Sequence, residues 1–322
     1  MTERNMVQAL NNALCLAMEK DATVVILGED VGKDGGVFRV TEGLLDKFGD
    51  KRVIDTGVAE SVIVGSSVGM AINGLKPVAE IQFSGFIYPA YQQIISHVSR
   101  MRNRSRGTYT AHIVIRSPNG GGVNALEHHS ESMEAIYAHI PGLKVVMPSN
   151  PYDAKGLLLS AINDPDPVLF LEPIKLYRAF KQEVPDDYYQ IPIGKADILQ
   201  EGKDITIITW GSMVQEAQDA VRQVPYGCEL IDLRTISPWD KSTIVKSVKK
   251  TGRAIILHEA TRTGGFGAEI AATLQEECLY QLLAPIIRVT APDVIVPLYR
   301  SEHYYRPNSE KLVAQIKATM DT

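Results

Sequence analysis

The feature that most limits how this chain can fold is a series of short apolar segments in its first half. The segments are TVVIL (23–27), RVID (52–55), KPVAEIQF (76–83), HIVIR (112–116), LKVVM (143–147) and PVLFL (167–171). A strand buried on one face alternates apolar and polar side chains, whereas a strand buried on both faces does not. These segments do not alternate, and they therefore predict the strands of a parallel sheet covered by helices on both sides.

Helical patterns lie between the apolar segments, where a parallel sheet needs crossover connections. Residues 3–20 carry apolar side chains at three- and four-residue spacing, which predicts a first amphipathic helix with Thr2 as its N-cap. Crossover helices are predicted at Glu60–Asn73, Pro89–Arg104, Glu131–His139 and Pro151–Asn163. The first half is thus predicted to be an α/β domain built from βαβ units.

The regular alternation stops between Lys181 and Ile193, where the sequence KQEVPDDYYQIPI is charged, contains proline and has no usable period. Strand and helix patterns resume at DITIITW and continue to SEKLVAQIKATM. A chain of 322 residues is long enough for about two domains with separate cores. We therefore expect a first domain at residues 1–185, a linker at 186–200 and a smaller α/β domain at 201–322.

The charge balance and the cysteines narrow the class of function. A formal net charge of -5 gives no reason to expect nucleic acid or an anionic membrane as a partner. Cys15, Cys228 and Cys278 form no CxxC motif, which favours a reducing compartment. The N-terminus lacks the basic start and apolar block of a targeting signal, and no uncharged run approaches the roughly 20 residues that span a bilayer. These features predict a cytoplasmic protein.

Seven motifs in collinear order resemble the β subunits of thiamine-diphosphate-dependent 2-oxo acid dehydrogenases, which belong to the transketolase-like superfamily. The motifs are GEDVGKDGGVFRVTEGLLDKFG, RVIDTGVAES, VAEIQFSGFIYPAYQQI, VIRSPNGGG, HHSESMEA, VVMPSNPYDAKGLLLSAI and HEATRTGGFGAEIA. The resemblance implies a parallel-sheet domain that binds the pyrimidine of thiamine diphosphate, followed by a smaller α/β domain of the transketolase C-terminal type. This division agrees with the one predicted above from the strand and helix patterns.

The resemblance also implies partners and a reaction. The chain would pair with an α subunit in an α2β2 assembly. The assembly would oxidatively decarboxylate a 2-oxo acid and transfer the acyl group to the lipoyl group of a dihydrolipoyl acyltransferase core.

Glu60 is the main candidate catalytic residue. It follows a predicted buried strand and begins a predicted helix, so its carboxylate could serve only to favour the helix dipole. The resemblance implies a further role, because the matching glutamate contacts a ring nitrogen of the aminopyrimidine and favours the imino form that removes the thiazolium proton. Val58, Gln82 and Phe86 match positions beside the pyrimidine. Taken alone, Phe86 could be a core aromatic, and it stands where many relatives have tyrosine, so stacking is kept without the hydroxyl.

A histidine pair, His128 and His129, follows the glycines Gly120–Gly122 and precedes a predicted helix. Such a pair in a loop is often a capping or solvated feature. By resemblance, His129 matches the histidine of an HSQ-like motif that faces the substrate and the incoming lipoyl group, where imidazole can donate a proton during acyl transfer. Glu131 stands where glutamine is commoner and changes the local charge, and His128 is the weaker candidate.

Two metal ions are predicted, magnesium in the α subunit and potassium in this chain. The chain has no GDG motif, which such enzymes use to hold magnesium and the diphosphate, so we expect the α subunit to bind magnesium. The resemblance also implies potassium bound near Ile113 and Ala161, with Asp164 and Asp166. The alternative, that residues 164–167 form only a turn, stays open. The glycine runs at 120–122 and 264–267 match no nucleotide-binding motif.

The substrate is left open between branched-chain 2-oxo acids and pyruvate, with LEPIKLYRAF marginally closer to branched-chain enzymes. Two alternative functions stay open as well. One is a related thiamine-diphosphate enzyme, such as an acetoin dehydrogenase β subunit, and the other is a non-catalytic scaffold subunit. Lipoyl-dependent product formation would exclude the first, and loss of activity on replacement of Glu60 would exclude the second.

Overall fold

The computed structural model describes residues 1–322 and contains two large sheets, each with helices on both faces, and a two-stranded antiparallel sheet formed by the first and eighth strands. The strands are β1 (Thr2–Arg4), β2 (Val24–Gly28), β3 (Val53–Asp55), β4 (Lys76–Glu80), β5 (Val114–Asn119), β6 (Lys144–Val146), β7 (Val168–Pro173), β8 (Gln182–Val184), β9 (Asp197–Gln200), β10 (Ile205–Thr209), β11 (Cys228–Asp232), β12 (Thr235–Ser237), β13 (Ala254–Thr261) and β14 (Ile287–Ala291).

The α-helices are α1 (Met6–Lys20), α2 (Leu44–Phe48), α3 (Glu60–Ile72), α4 (Tyr91–Gln93), α5 (Met101–Arg104), α6 (Glu134–Ala138), α7 (Pro151–Asn163), α8 (Met213–Val221), α9 (Lys241–Thr251), α10 (Gly267–Cys278), α11 (Glu302–Tyr305) and α12 (Ser309–Met320). Short 3-10 turns lie at Ser84–Phe86, Tyr88–Ala90, Glu127–His129, Ile174–Leu176 and Tyr299–Ser301, and a π-helical segment lies at Ile94–Val98.

The first sheet confirms the parallel strands predicted from the apolar segments. Its order is β12-β6-β7-β5-β4-β2-β3, and the six strands β2 to β7 pair in parallel. Neighbouring residues of β2 face opposite cores: Ile26 packs in the cluster that contains α1 and α7, and Leu27 packs in the cluster that contains α3. Because the strands are parallel, the carboxyl ends of β2, β3, β4 and β5 meet at one edge.

The second sheet has the order β14-β13-β10-β11-β9, and only β9 runs antiparallel to its neighbour. Strand β9 lies inside residues 186–200, which we expected to be a linker. Strand β12 crosses over to the first sheet, where Thr235 pairs with Val146 of β6. The two sheets also share one core cluster, in which Ile115 of the first sheet and Ile256 of the second are both fully buried. The two halves are therefore packed together rather than merely tethered.

The prediction for the N-terminus is wrong in one respect, because Thr2 does not cap the first helix. Helix α1 begins at Met6, and its cap is Asn5, whose side chain accepts a hydrogen bond from the Gln8 amide at 2.9 Å. The Gln8 side chain in turn accepts from the Asn5 amide at 3.1 Å, which completes a capping box. Thr2 instead lies in β1, which pairs with Gln182–Val184. The capping box satisfies two amides at the start of the helix.

Two predicted helices are shorter or more broken than expected. The predicted helix 89–104 is interrupted by the π-helical segment, because the Ile95 carbonyl accepts hydrogen bonds from the Arg100 guanidinium at 2.8 Å and the Ser99 hydroxyl at 3.2 Å. The predicted helix 131–139 is reduced to α6. The Glu131 carbonyl would accept the first hydrogen bond of the predicted helix. It accepts instead from the Gly120 amide and the Ser84 hydroxyl, each at 2.9 Å.

Candidate active site

The carboxyl ends of three neighbouring strands bring the predicted pyrimidine-binding residues to one edge of the first sheet. Glu29 and Asp30 follow β2, Glu60 begins the helix after β3, and Gln82 follows β4. The Gln82 amide donates to the Asp30 carboxylate at 3.4 Å. Gly28, the last residue of β2, lies opposite Asp55 of β3 on one side and Glu80 of β4 on the other, so the three strands end at the same level. The parallel topology thus places Glu60 and Gln82 at the same edge, as such a site requires.

Glu60 is partly exposed at the first position of α3, where the unpaired amides of the first turn favour a negative charge. The next residue, Ser61, donates a hydrogen bond to the Pro89 carbonyl and so ties the start of the helix to the segment that carries Phe86. The neighbouring Glu29, which no sequence motif singled out, is only 9% exposed. Burial, and then the negative charges of Glu60 and Asp30, raise the pKa of Glu29. A carboxyl whose pKa is raised therefore lies beside Glu60.

His129 and Phe86 lie together in an aromatic cluster that also contains Phe83. The His129 ring is 5.0 Å from Phe86 and 4.4 Å from Phe83, both edge-to-face, and the two phenylalanine rings are 5.3 Å apart. The Nδ1 atom of His129 is buried and has no hydrogen-bond partner in the protein. A Cβ atom at Gly85 would overlap the carbonyl oxygen of His128, so glycine lets the two segments approach. Phe83 carried no signal in the sequence beyond its place in the motif.

His128 points to the solvent side of the same turn. Its side chain is 58% exposed, and its Nδ1 lies 3.8 Å from the Glu131 carboxylate. The Tyr88 hydroxyl donates a hydrogen bond to the other Glu131 oxygen. Burial, followed by this hydrogen bond and the Glu131 charge, raises the pKa of Tyr88. Glu131 is thus shared between Tyr88 and His128. The structure separates the two histidines, with His129 inside the aromatic cluster and His128 outside it.

Exposed apolar side chains also lie on the segments that carry this site. Val58, in the loop before α3, is 83% exposed, although its position was predicted to contact the pyrimidine. Val62 and Leu126 are also exposed, at 62% and 59%. Exposed apolar side chains that border a recessed polar group are typical of a surface that another molecule covers.

Ile113, Ala161, Asp164 and Asp166 do lie together, but their oxygens are already engaged. The Ile113 carbonyl accepts from the Val168 amide, and the Ala161 carbonyl accepts from the Asp164 amide. Both carboxylate oxygens of Asp164 are 2.6 Å from the Lys144 ammonium, and Asp166 accepts from Arg102 at 2.6 Å. This arrangement fits a turn stabilised by ion pairs. The Lys144 ammonium lies beside the Asp164 carboxylate, where the resemblance implies a potassium ion.

The residues at the sheet edge fit the pyrimidine half of thiamine diphosphate. Phe86 offers an aromatic surface, Glu60 a carboxylate, Gln82 an amide, and His129 an unpartnered ring nitrogen. No group of three or more histidine, cysteine, aspartate or glutamate side chains in the chain is arranged to hold a metal ion. None of the helices combines the length and apolar character needed to cross a bilayer.

Comparison with known proteins gives the family. Residues 2–179 match the family model of the transketolase pyrimidine binding domain, and residues 194–312 match that of the transketolase C-terminal domain. The chain is 56% identical over 315 residues to the pyruvate dehydrogenase E1 component subunit beta of Acholeplasma laidlawii, covering 97% of this chain and 96% of the relative. It is 50% identical over 324 residues to the protein of the same name from Staphylococcus aureus strain Mu50, covering all of both chains.

A solved structure described as a split gene transketolase, inactive beta4 tetramer, has a TM-score of 0.80 and 20% identity, and the match covers 99% of each chain. At that identity the likeness shows the fold alone. The two domains in this order define a component of a thiamine-diphosphate enzyme. The chain belongs to the β-subunit family of 2-oxo acid dehydrogenases, in the transketolase-like superfamily, which confirms the predicted family and fold class.

Proposed function

We propose that this chain is the β subunit of a pyruvate dehydrogenase. It works with an α subunit in an α2β2 assembly that oxidatively decarboxylates pyruvate and transfers the acetyl group to the lipoyl group of a dihydrolipoyl acyltransferase. The observation that carries this proposal is a half-built site, in which the Phe86 and His129 rings pack together and Glu60 begins a helix tied by Ser61 to the segment that carries Phe86. The relatives named above favour pyruvate over branched-chain 2-oxo acids.

Thiamine diphosphate, when bound, supplies an electron sink for the carbanion left by decarboxylation. Glu60 would hold a proton between its carboxyl group and a nitrogen of the pyrimidine, with Val58 and Gln82 beside it. Phe86 would pack against the heterocycle. Buried Glu29 lies close enough to Glu60 for the two carboxylates to repel, and burial followed by this repulsion raises the pKa of Glu29.

His129 would donate a proton in the transfer step. Its ring lies between Phe83 and Phe86, where little water can compete for the proton. Its Nδ1 is buried and makes no hydrogen bond within the protein. A proton donor placed within hydrogen-bond reach of a leaving thiolate is what general acid catalysis requires.

The α subunit would cover the rim formed by Val58, Val62 and Leu126, and it would supply the ligands for magnesium and the diphosphate. For the potassium ion implied by the resemblance, the contacts of Asp164 favour Lys144 as the resident cation. We retain the first domain at residues 1–185 as a proposal. Because β9 belongs to the sheet of the second domain, we propose that this domain begins at Asp197 rather than at residue 201 and that the linker ends before it. Three cysteines without disulfides support a cytoplasmic location.

The test is a comparison of substrates and acceptors with the assembled enzyme. Turnover of pyruvate should exceed that of a branched-chain 2-oxo acid in kcat/KM, and acetyl transfer should require a lipoyl domain. A higher kcat/KM for the branched-chain substrate would reject the pyruvate assignment. Product formation that is independent of a lipoyl group would favour a transketolase-like reaction instead.

A further inference from the structure

Two carboxylates from the C-terminal domain hold a loop of the first domain by its backbone amides. The loop, which we call the glycine loop, consists of Gly120–Asn124. The Gly121 amide donates to Glu259 at 2.6 Å, the Asn124 amide donates to Glu302 at 2.8 Å, and the Gly122 amide donates to the other Glu302 oxygen. Glu259 lies in β13 and Glu302 begins α11, and they are only 9% and 2% exposed. Three amides of one loop are therefore bound across the domain interface.

The glycines are needed for this contact. Gly120 and Gly122 have φ angles of +80° and +94°, which side chains rarely adopt. A Cβ atom at Gly121 would overlap the Glu302 carboxylate, and one at Gly122 would lie 2.7 Å from the Arg306 guanidinium. The run that resembles a phosphate-binding loop in the sequence thus presents its amides to protein carboxylates rather than to a phosphate.

Charge makes the contact strong. Burial opposes ionisation of Glu259, but Arg306, Ser212 and the Gly121 amide together hold its pKa below the usual value. Arg306 donates to Glu259 at 3.1 Å, and the Ser212 hydroxyl donates to it at 2.5 Å. Hydrogen bonds from amides to an ionised carboxylate are shorter and about twice as strong as those between neutral groups.

The glycine loop leads directly to His129. The Gly120 amide donates to the Glu131 carbonyl at 2.9 Å, so the chain closes on itself on either side of the histidine turn. The His129 amide donates to the Leu126 carbonyl at 2.9 Å, and the His129 ring packs on Phe83 and Phe86. One side of this closed loop is held by the aromatic cluster and the other by the two glutamates.

We propose that Glu302 and Glu259 are positioning residues, which hold the glycine loop and thereby orient His129 for proton donation. The inference rests on the proposed function of His129 in acyl transfer. Neither glutamate touches the substrate in this role. Loss of the contact between these glutamates and the glycine loop should leave pyruvate binding intact and lower the rate of the transfer step. A small misplacement of a catalytic group can lower the rate by up to about 100-fold.

The experiment uses the assembled enzyme with Glu302→Ala, Glu302→Gln and the control Glu310→Ala, which removes an exposed glutamate from the first turn of α12. Amide hydrogen exchange is measured over residues 120–129, together with kcat and KM for acetylation of a lipoyl domain. Glu302→Ala should exchange faster there and lose about 10- to 100-fold in kcat with little change in KM for pyruvate. Glu302→Gln keeps one acceptor for two amides, so it should be intermediate, and Glu310→Ala should match the wild type.

A double variant separates this inference from the proposed function. Adding Glu302→Ala to His129→Ala should cause no further loss of transfer, since residues that act through one group are not additive. Additive losses, or unchanged exchange over residues 120–129 in both Glu302 variants, would overturn the positioning role. Normal transfer by His129→Ala would instead reject the role of His129 itself, while the exchange data would still report whether Glu302 holds the loop.

Discussion

The imidazole of His129 packs edge-to-face against the ring of Phe86, with the ring centroids 5.0 Å apart and the planes at 75°. This contact joins the turn after β5 to the segment after β4, and it brings the residue proposed for acyl transfer to the residue proposed to stack on the pyrimidine. The two halves of the reaction would thus share one small apolar pocket. Separate changes at Glu60 and His129 should therefore affect different steps within the same site.

Glu60→Gln should keep the assembled form but lose about 100- to 10,000-fold in turnover, because an amide cannot exchange a proton with the pyrimidine. The measurement is deuterium exchange at the thiazolium carbon, together with the mass of the assembly. Asp46→Asn is a matched control, since Asp46 is an exposed acid in the first turn of another helix, α2. Near-normal exchange in Glu60→Gln would show that Glu60 only favours the helix dipole.

His129→Ala should depress reductive acetylation of a lipoyl domain more than it depresses reduction of an artificial dye by the same enzyme. The transfer step needs a positioned proton donor, whereas decarboxylation does not strictly depend on an imidazole. His128→Ala, on the solvent side of the turn, is the control and should be milder in both assays. An equal loss in the two assays would make His129 an orienting group for cofactor or substrate.

Glu134→Gln should stabilise the protein at higher pH but not at lower pH. Burial raises the pKa of Glu134 from 4.5 to about 7, while its carboxylate accepts a hydrogen bond from Trp210 at 3.2 Å. A carboxyl with a raised folded-state pKa favours the fold when protonated, and this contribution is lost as the pH rises from 4.5 through 7. Glutamine keeps the acceptor without the charge.

Urea unfolding of the wild type and of Glu134→Gln at about pH 5 and about pH 8 gives the comparison. The urea concentrations at the midpoint of unfolding should agree between the two proteins at the lower pH. At the higher pH the midpoint of Glu134→Gln should be the higher. A difference in stability that does not change with pH would show that Glu134 is not the buried titrating group.

Lys144→Met should make the stability of the assembled enzyme depend on potassium. In the wild type the Lys144 ammonium lies 2.6 Å from both oxygens of Asp164, so potassium chloride and choline chloride at equal concentration should give the same unfolding temperature. Methionine removes the charge and keeps most of the length, which leaves the Asp164 carboxylate open to a cation. A potassium-specific rise in the unfolding temperature of the wild type would contradict the assignment of Lys144.

The strands of the first sheet could be predicted because burial on both faces leaves a local mark, a segment without alternation. Helix α7 was predicted with both of its ends, since Asn150 caps it and Pro151 occupies its first turn. No local sequence pattern predicts β12, which has three residues and pairs antiparallel with β6 of the first domain's sheet. No local pattern predicts the contact of Arg100 either. Its guanidinium donates to the Ile95 carbonyl, which would otherwise accept a hydrogen bond within the predicted helix.

Some residues of the candidate site could be predicted from the sequence, and others could not. Glu60, Gln82, Phe86 and His129 were named from motif resemblance, and the structure brings their segments to one edge of the sheet. Glu29 and Phe83 were missed because their importance comes only from neighbours across the sheet. The partners of the glycine loop could not be inferred either, since Glu259 and Glu302 lie more than a hundred residues further along the chain.

The most direct test of the half-site is a titration of the purified chain with its α subunit, in the presence of thiamine diphosphate, magnesium, pyruvate and a lipoyl domain. The chain alone should show no acetyl transfer and no useful binding of the cofactor. Activity should rise with added α subunit and level off at equal numbers of the two chains. Turnover of pyruvate by the chain alone, with cofactor and magnesium only, would contradict the half-site.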